Sequence, residues 1–414
     1  MDVDLTAVGA RVRAARERAG LSQRNVESEA GVSQSTLHRV ETGKRTNATL
    51  ADFDRLAQAL GVGLDELLYG SAVEARVLGA ARTSGCTDGA VRTALEQGIE
   101  LLKLDDWLDA VVTCLRQEAT HPVLEIPAAG SPQERGHVAA ERVREALGLG
   151  SAPIADLVET VEHFSGVDVG TMPLPPGVSG ICATDPERAT SVVLVNSNDV
   201  VERQRFTLAH ELGHLLFGDK THVDALDCER SPQEVLCDEF ARHLLIPEKG
   251  VRMWLNHVAP TGGTSHIDER VMALLARHFG ASPEATRIQL DRMGLLFGQL
   301  RDAALPSGRR WAYRYGWGPQ FDSDQAAAGQ PRVPRRILDR AIEAYREGKL
   351  GISALAKLQD RPVSQIEQAL TDADIFVKPD VRRADVAALV ARASAQKSIE
   401  DRSTSWTPCR AVFA

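Results

Sequence analysis

Paired cysteines are the first thing this 414-residue sequence lacks. Its six cysteines, Cys86, Cys114, Cys182, Cys228, Cys237 and Cys409, include no C-x-x-C pair. That spacing indicates neither a disulfide framework nor a second, cysteine-built zinc site. Cys228 and Cys237 flank Glu234 and invite a redox-switch reading, although buried, inert thiols are the commoner case. No apolar run reaches the roughly 20 residues that span a bilayer. The N-terminus, Met1-Asp2-Val3-Asp4, is acidic and has no signal-peptide pattern. A cytoplasmic protein with no membrane partner is expected. Excess positive charge is also missing: 48 Lys and Arg stand against 57 Asp and Glu, a net charge of -9. This argues against indiscriminate binding to nucleic acid or anionic membranes, but leaves room for a local basic face. What the chain does have is length for two to four domains and 43% hydrophobic residues to fill their cores.

The densest chemistry lies in His210-Glu211-Leu212-Gly213-His214. A helix turns about 100° per residue, so positions i and i+4 lie about 40° apart and two imidazoles there can reach one metal ion. Glu211 follows the first histidine and sits beside the metal, where it can take a proton from water. Upstream, Val192 to Asn196 reads as a strand, and Arg203 to Phe206 opens a helix. Phe206, Ala209, Leu212, Gly213, Leu216 and Phe217 recur at helical spacing, giving the segment a buried face with the histidines at its edge.

A hydrolytic zinc site needs a third protein ligand and an open position for water. His222 is one candidate. The metzincin scheme with a third histidine nearby requires Gly at 217 and His at 220, where this chain has Phe217 and Lys220. Glu234 is better placed. Residues Glu234 to Pro247 read as a second amphipathic helix stopped by proline, with Glu234 and Asp238 on one face. His210, His214 and Glu234 then make a two-histidine, one-carboxylate set, with Asp238 behind it as support for a ligand histidine. The bland alternative for Asp238 is a solvated surface acid.

Arg205-Phe206-Thr207-Leu208-Ala209-His210-Glu211-Leu212-Gly213-His214-Leu215-Leu216, followed by Glu234 to Pro247, resembles the ImmA/IrrE family of metallopeptidases over residues 153–247. The E-x-x-x-D spacing also resembles thermolysin-like gluzincins, in which the Glu binds zinc and the Asp orients a ligand histidine. Asp238 stands where many ImmA/IrrE members have Asn. The resemblance implies a small zinc protease acting on repressor-type transcription factors.

The N-terminus carries a second signal. Leu21 to Val26 and Ala30 to Glu41 read as two short helices joined by a tight turn, with Ser22 and Ser33 as N-caps and Gly31 where the backbone must be permissive. Val8, Val12 and Ala15 mark a helix before them, and Leu50, Phe53, Leu56, Ala57 and Leu60 one after. Asp65 to Leu68 adds a short fifth. Residues 5–69 resemble the XRE, or lambda-repressor-like, helix-turn-helix family. In such a fold Gln34, Ser35, Thr36 and Arg39 face the bases, while Gln23, Lys44 and Arg45 hold phosphates. Nine basic residues face ten acidic ones within residues 1–70. The local patch near Arg39 to Arg45 therefore carries the expectation, with dimerisation to strengthen binding and a protein-contact role as the alternative.

The expected fold is multidomain and mainly α: a five-helix DNA-binding domain (1–70), a helical connector able to dimerise (71–130), a small α+β gluzincin-like domain with a short sheet (131–258), a helix-turn-helix-like segment (259–300), a helical module (301–380) and a tail (381–414). Leu95, Ile99 and Leu102 form one helical stripe, and Leu108, Val111, Val112 and Leu115 another; both suit core, or a dimer seam. His121 to Glu134 reads as a linker. A helix at 154–164 and strands near 167–172, 178–183 and 191–196 are expected before the metal helix. A sheet edge beside that helix suits an extended peptide. His222, His243, His257 and His266 are unranked candidates for stabilising an oxyanion. Residues 271–285 and 353–366 echo helix-turn-helix spacing without a basic reading helix. Arg309 to Val333 reads as a loop exposing aromatics, and the last twenty residues as a mobile tail. Together these features point to a regulator that binds a double-stranded operator and uses Zn2+ to cleave a repressor-type protein or itself. The alternatives are a repressor whose zinc is structural or sensory, and an antitoxin-like partner-binding protein.

Overall fold

The computed structural model describes residues 5–44, 48–70, 72–83, 89–112, 129–218, 222–225, 231–258, 267–296, 299–302 and 304–378. Arg45, Leu115, His266, most of the expected linker and the last twenty residues lie outside the described residues.

Five helices come first: α1 (Leu5–Arg18), α2 (Gln23–Ala30), α3 (Gln34–Glu41), α4 (Leu50–Leu60) and α5 (Leu64–Tyr69). The side chains of Ser22 and Ser33 accept hydrogen bonds from the N–H groups of Asn25 and Thr36, capping α2 and α3. Gly31 ends α2 in the left-handed region at φ 64°, which a residue with a Cβ adopts only at a cost. Val8, Val12, Val26, Leu37 and Leu56 close one small core. At the end of α3 the Glu41 carboxylate accepts Arg16 Nε at 2.5 Å and Gln23 Nε2 at 2.8 Å, tying three helices together.

The chain continues through α6 (Ala72–Thr83), α7 (Gly89–Val111), α8 (Pro132–Ala146) and α9 (Leu157–Ser165). A sheet follows, with β1 (Asp168–Met172), β2 (Val178–Asp185) and β3 (Thr190–Asn196), then α10 (Val201–Leu216), β4 (His222–Ala225) and α11 (Pro232–Leu245). The strand order is β1-β3-β2-β4. β1 runs parallel to β3, pairing Val169 with Val193. β2 runs antiparallel to both neighbours, pairing Ile181 with Leu194 and with Val223. Three strands and the helix before them match expectation within a few residues; β4, four residues long, was not foreseen.

The remaining helices are α12 (Glu248–Val258), α13 (Glu269–Phe279), α14 (Pro283–Arg292), α15 (Gln299–Asp302), α16 (Gly308–Tyr315), α17 (Gly318–Ala328), α18 (Arg335–Arg346), α19 (Ile352–Leu358) and α20 (Val363–Asp372). Alternation along β3 sorts the packing into two cores. Val193 and Val195 enter the core shared with α8 to α14, α16 and α17, whereas Val192 and Leu194 enter the one shared with α6, α7 and α18 to α20.

Leu95, Ile99 and Leu102 of one stripe and Leu108 of the other are buried inside the chain against β2 and β3, as the core reading expects. Two expectations need correction. Residues 132–134, read as linker, begin α8: Pro132 takes the first turn, and Ser131 with Glu134 forms a capping box. Arg309 to Ala328 is not a loop but α16 and α17. Ser307 caps α16, Gly316 ends it at φ 95°, and Trp311 and Trp317 turn inward, only 1% and 8% exposed. Tyr313 alone of the five aromatics there is exposed outright.

Candidate metal centre

The histidines of α10 face the same point. His210 Nε2 and His214 Nε2 lie 3.0 Å apart, as the i, i+4 spacing requires, and both residues are buried. From α11, Glu234 brings Oε2 to 3.2 Å from His210 Nε2 and Oε1 to 3.5 Å from His214 Nε2. With metal–ligand bonds of about 2.1 Å, the edge of a tetrahedral site is about 3.4 Å. The three separations bracket that value, so these donors fit one small divalent ion. Their chemistry, two imidazoles and one carboxylate, is that of a hydrolytic zinc site.

Glu234 reaches the histidines because α10 and α11 pack closely. A Cβ on Gly213 would stand 3.1 Å from Phe240 Cδ1 and 3.4 Å from Cys237 Cα, so only glycine allows this spacing without displacement. Ser231 caps α11 by accepting the Glu234 N–H at 3.2 Å, which fixes Glu234 in the first turn. One turn later, Asp238 Oδ1 stands 3.1 Å from His210 Nδ1. This puts a carboxylate beside the ring nitrogen that does not face the other two donors. α8 braces α11 from behind, where a methyl on Gly136 would come 2.6 Å from the Leu236 carbonyl oxygen.

Glu211 is fully buried at the interface between α10 and β2. Gly180 of β2 makes the room: a Cβ there would meet Thr207 Cγ2 at 2.4 Å and Glu211 Oε1 at 3.2 Å. Sequence reasoning missed Gly180, since nothing local to β2 says which helix crosses it. Arg203, one turn before Thr207, donates from Nε to Ser179 Oγ at 2.9 Å and anchors the same crossing.

The other histidines stand elsewhere. His243 follows Glu234 on α11 by nine residues, about 13 Å along the axis, too far to serve an oxyanion at this cluster. It is buried and stacks on His137, with centroids 3.9 Å apart and planes 12° from parallel. His137, His243 and Glu248 form a second group of close donors. Imidazole binds metal in its ring plane, however, and two near-parallel planes 3.9 Å apart share no such point. Burial, then the charges of His137, Arg242 and Arg292, pushes the His243 imidazole down to about 2. His257 is exposed on α12, and His222 belongs to β4. Cys182 and Cys237 are buried; Cys228 lies outside the described residues.

In the N-terminal domain, Gln34, Ser35 and Arg39 of α3 are exposed and Thr36 is partly buried, its Oγ1 2.9 Å from Ser33 Oγ. Lys44 is exposed. Gln23 is engaged with Glu41, which leaves its amide less free to hold a phosphate.

Residues 7–68 match the model of a helix-turn-helix domain family, and residues 165–291 that of the IrrE N-terminal-like domain. The radiation response metalloprotease IrrE of Deinococcus radiodurans is 40% identical over 121 residues, 28% of this chain and 35% of that protein. Its namesake from Deinococcus deserti is 38% identical over 131 residues, 30% of this chain and 43% of that protein. The chain thus matches well under half the length of these relatives. Among solved structures, the apo form of ComR from S. thermophilus aligns over 96% of this chain and 99% of its own at 12% identity; its TM-score of 0.15 carries no argument about fold. The chain is therefore similar to a helix-turn-helix domain over residues 7–68 and to an IrrE-type metallopeptidase-family domain over residues 165–291, and the second similarity implies a metal cofactor.

Proposed function

We propose that this chain is a DNA-binding regulator that holds zinc on His210, His214 and Glu234 and cleaves a peptide bond in a repressor-type protein or in itself. The observation that carries this reading is the convergence of three donor atoms from two helices at separations of 3.0, 3.2 and 3.5 Å. A zinc ion there supplies Lewis acidity, which polarises a carbonyl and makes water easier to deprotonate. Glu211 accepts the water proton at its carboxylate and returns it to the leaving amine nitrogen. Asp238 accepts from His210 Nδ1–H and so selects the tautomer with Nε2 free to bind. β4, at one end of the strand order, offers an edge on which an extended peptide substrate can add as a further strand. At the other end of the chain, Gln34, Ser35, Thr36 and Arg39 read an operator, with Lys44, Arg45 and Gln23 on its phosphates. Two copies reading two half-sites supply the affinity that one small, weakly charged domain lacks.

Metal analysis tests the site. Purified protein is expected to carry one zinc per chain, lost in His210→Ala, His214→Ala and Glu234→Ala. Wild-type protein that stays metal-free after zinc loading would sink the assignment.

A further inference from the structure

A cavity of 430 Å³ opens near the start of α10, between that helix and α13, α16 and α17. Trp311, Trp317 and Phe321 line it, with Glu202 from α10 and Arg277 from α13. Arg205 lines it too, but its guanidinium donates to the carbonyls of Gly280 at 3.1 Å and Ile154 at 2.7 Å. Glu202 and Arg277 are differently placed. Among the described residues neither forms an ion pair; the Arg277 guanidinium lies over the Trp317 ring, 5.0 Å from its centroid.

Room for the Glu202 carboxylate is built in. A Cβ on Gly308, the first residue of α16, would stand 2.2 Å from Glu202 Oε1. Burial raises the Glu202 carboxyl above its usual range, the mark of a charge held without full compensation. A partly buried carboxylate without a counter-ion, in a cavity with aromatic walls, is the kind of group that ligand sites present.

We infer that this cavity binds a zwitterionic amino acid or short peptide with an apolar side chain, its ammonium on Glu202 and its carboxylate on Arg277. The ligand's side chain then lies on the apolar floor, where Trp317 and Phe321 keep 8% and 7% exposure. The pairing follows from which charges are left: Arg205 is spent on two carbonyls, and the exposed Asp324 accepts from Gln320 Nε2. A simple amine leaves Arg277 unmatched, a simple acid leaves Glu202 unmatched, and a neutral ligand leaves both. An apolar group gains burial against that floor. The site is distinct from the metal cluster: Glu202 precedes His210 by eight residues, about 12 Å along α10.

Isothermal titration of the full chain with three matched probes tests the inference: L-phenylalanine, phenethylamine, which lacks the carboxylate, and 3-phenylpropionate, which lacks the ammonium. L-Phenylalanine is expected to bind about tenfold or more tighter than either analogue, since each lost charge removes a charge-assisted hydrogen bond. Glu202→Gln should bring L-phenylalanine down to the level of 3-phenylpropionate, and Arg277→Met down to that of phenethylamine. Absence of L-phenylalanine binding at millimolar concentration would overturn the inference. So would analogues that bind as tightly as the amino acid, or folded variants that bind it as the parent does. Should either variant fail to fold, the three-probe comparison on the unaltered chain decides.

Discussion

Asp238 Oδ1 stands 3.1 Å from His210 Nδ1, across the ring from the nitrogen that faces His214 and Glu234. Support of this kind fixes both ring orientation and tautomer, and its loss typically weakens metal binding by about 10–100-fold. Asp238→Ala is expected to lose zinc to a competing chelator in that range, and Asp238→Asn, which keeps an acceptor oxygen, to fall between it and wild type. Equal zinc affinity in all three proteins would show Asp238 to be a solvated surface acid.

Gly180 sets how closely α10 lies on the sheet. A Cβ there would stand 2.4 Å from Thr207 Cγ2, so Gly180→Ala must push the helix, and with it Glu211 and His210, away from β2. Overpacking of this kind costs about 1–3 kcal/mol. Adding Thr207→Ser removes the opposing methyl and should restore much of the lost stability in urea unfolding. No rescue by the second substitution would place the strain elsewhere.

His243 links stability to acidity. Its imidazole is held at about 2 while an exposed one titrates near 6.5, so below 6.5 the unfolded chain takes up a proton that the folded chain refuses. Stability contributed by the neutral ring is therefore present above 6.5 and lost as pH falls towards 2, by up to about 1.4 kcal/mol per pH unit. Gln289 Nε2, 3.4 Å from His243 Nδ1, donates to that unprotonated nitrogen. The informative quantity is the difference between wild type and His243→Gln, which cancels what other groups contribute. The variant is expected to show the shallower fall in urea midpoint on acidification; parallel falls would exclude His243 as the source.

The exposed face of α3 makes a different kind of prediction. Gln34→Ala and Arg39→Ala should each change base preference at one position of a selected operator, by about 1–3 kcal/mol. Lys44→Ala should weaken binding to all sequences alike and lower the salt slope by about one. Selection of the same operator by all three variants would mean that α3 is not the reading helix.

Much of the site's geometry was legible because it is local. The i, i+4 spacing of His210 and His214, the Glu234–Asp238 face and the caps at Ser22 and Ser33 each depend on residues within two turns of helix. What escaped depends on partners far along the chain. The start of α8, Pro132 to Glu134, looked like the end of a linker because the packing that makes it a helix, Gly136 against Leu236 and Phe240, lies a hundred residues downstream. Trp311 and Trp317 looked exposed in a stretch punctuated by glycine and proline, yet α16 and α17 turn them into the core beside α13 and α10. The connector stripe of Leu95, Ile99 and Leu102 was recognised as apolar, but the sheet it covers lies some ninety residues downstream.

Mass spectrometry of proteolytic fragments in the native cell, wild type against Glu211→Gln, tests the central claim most directly. The substitution keeps the volume of the side chain and leaves His210, His214 and Glu234 to hold zinc, while removing the proton acceptor, a loss of about 10²–10⁴-fold in rate. The account predicts cleavage of a repressor-type protein, or of the chain itself, in wild-type cells, with those fragments absent from the zinc-loaded variant. The same fragments at the same abundance in both, or none in either under conditions where the regulator acts, would contradict it.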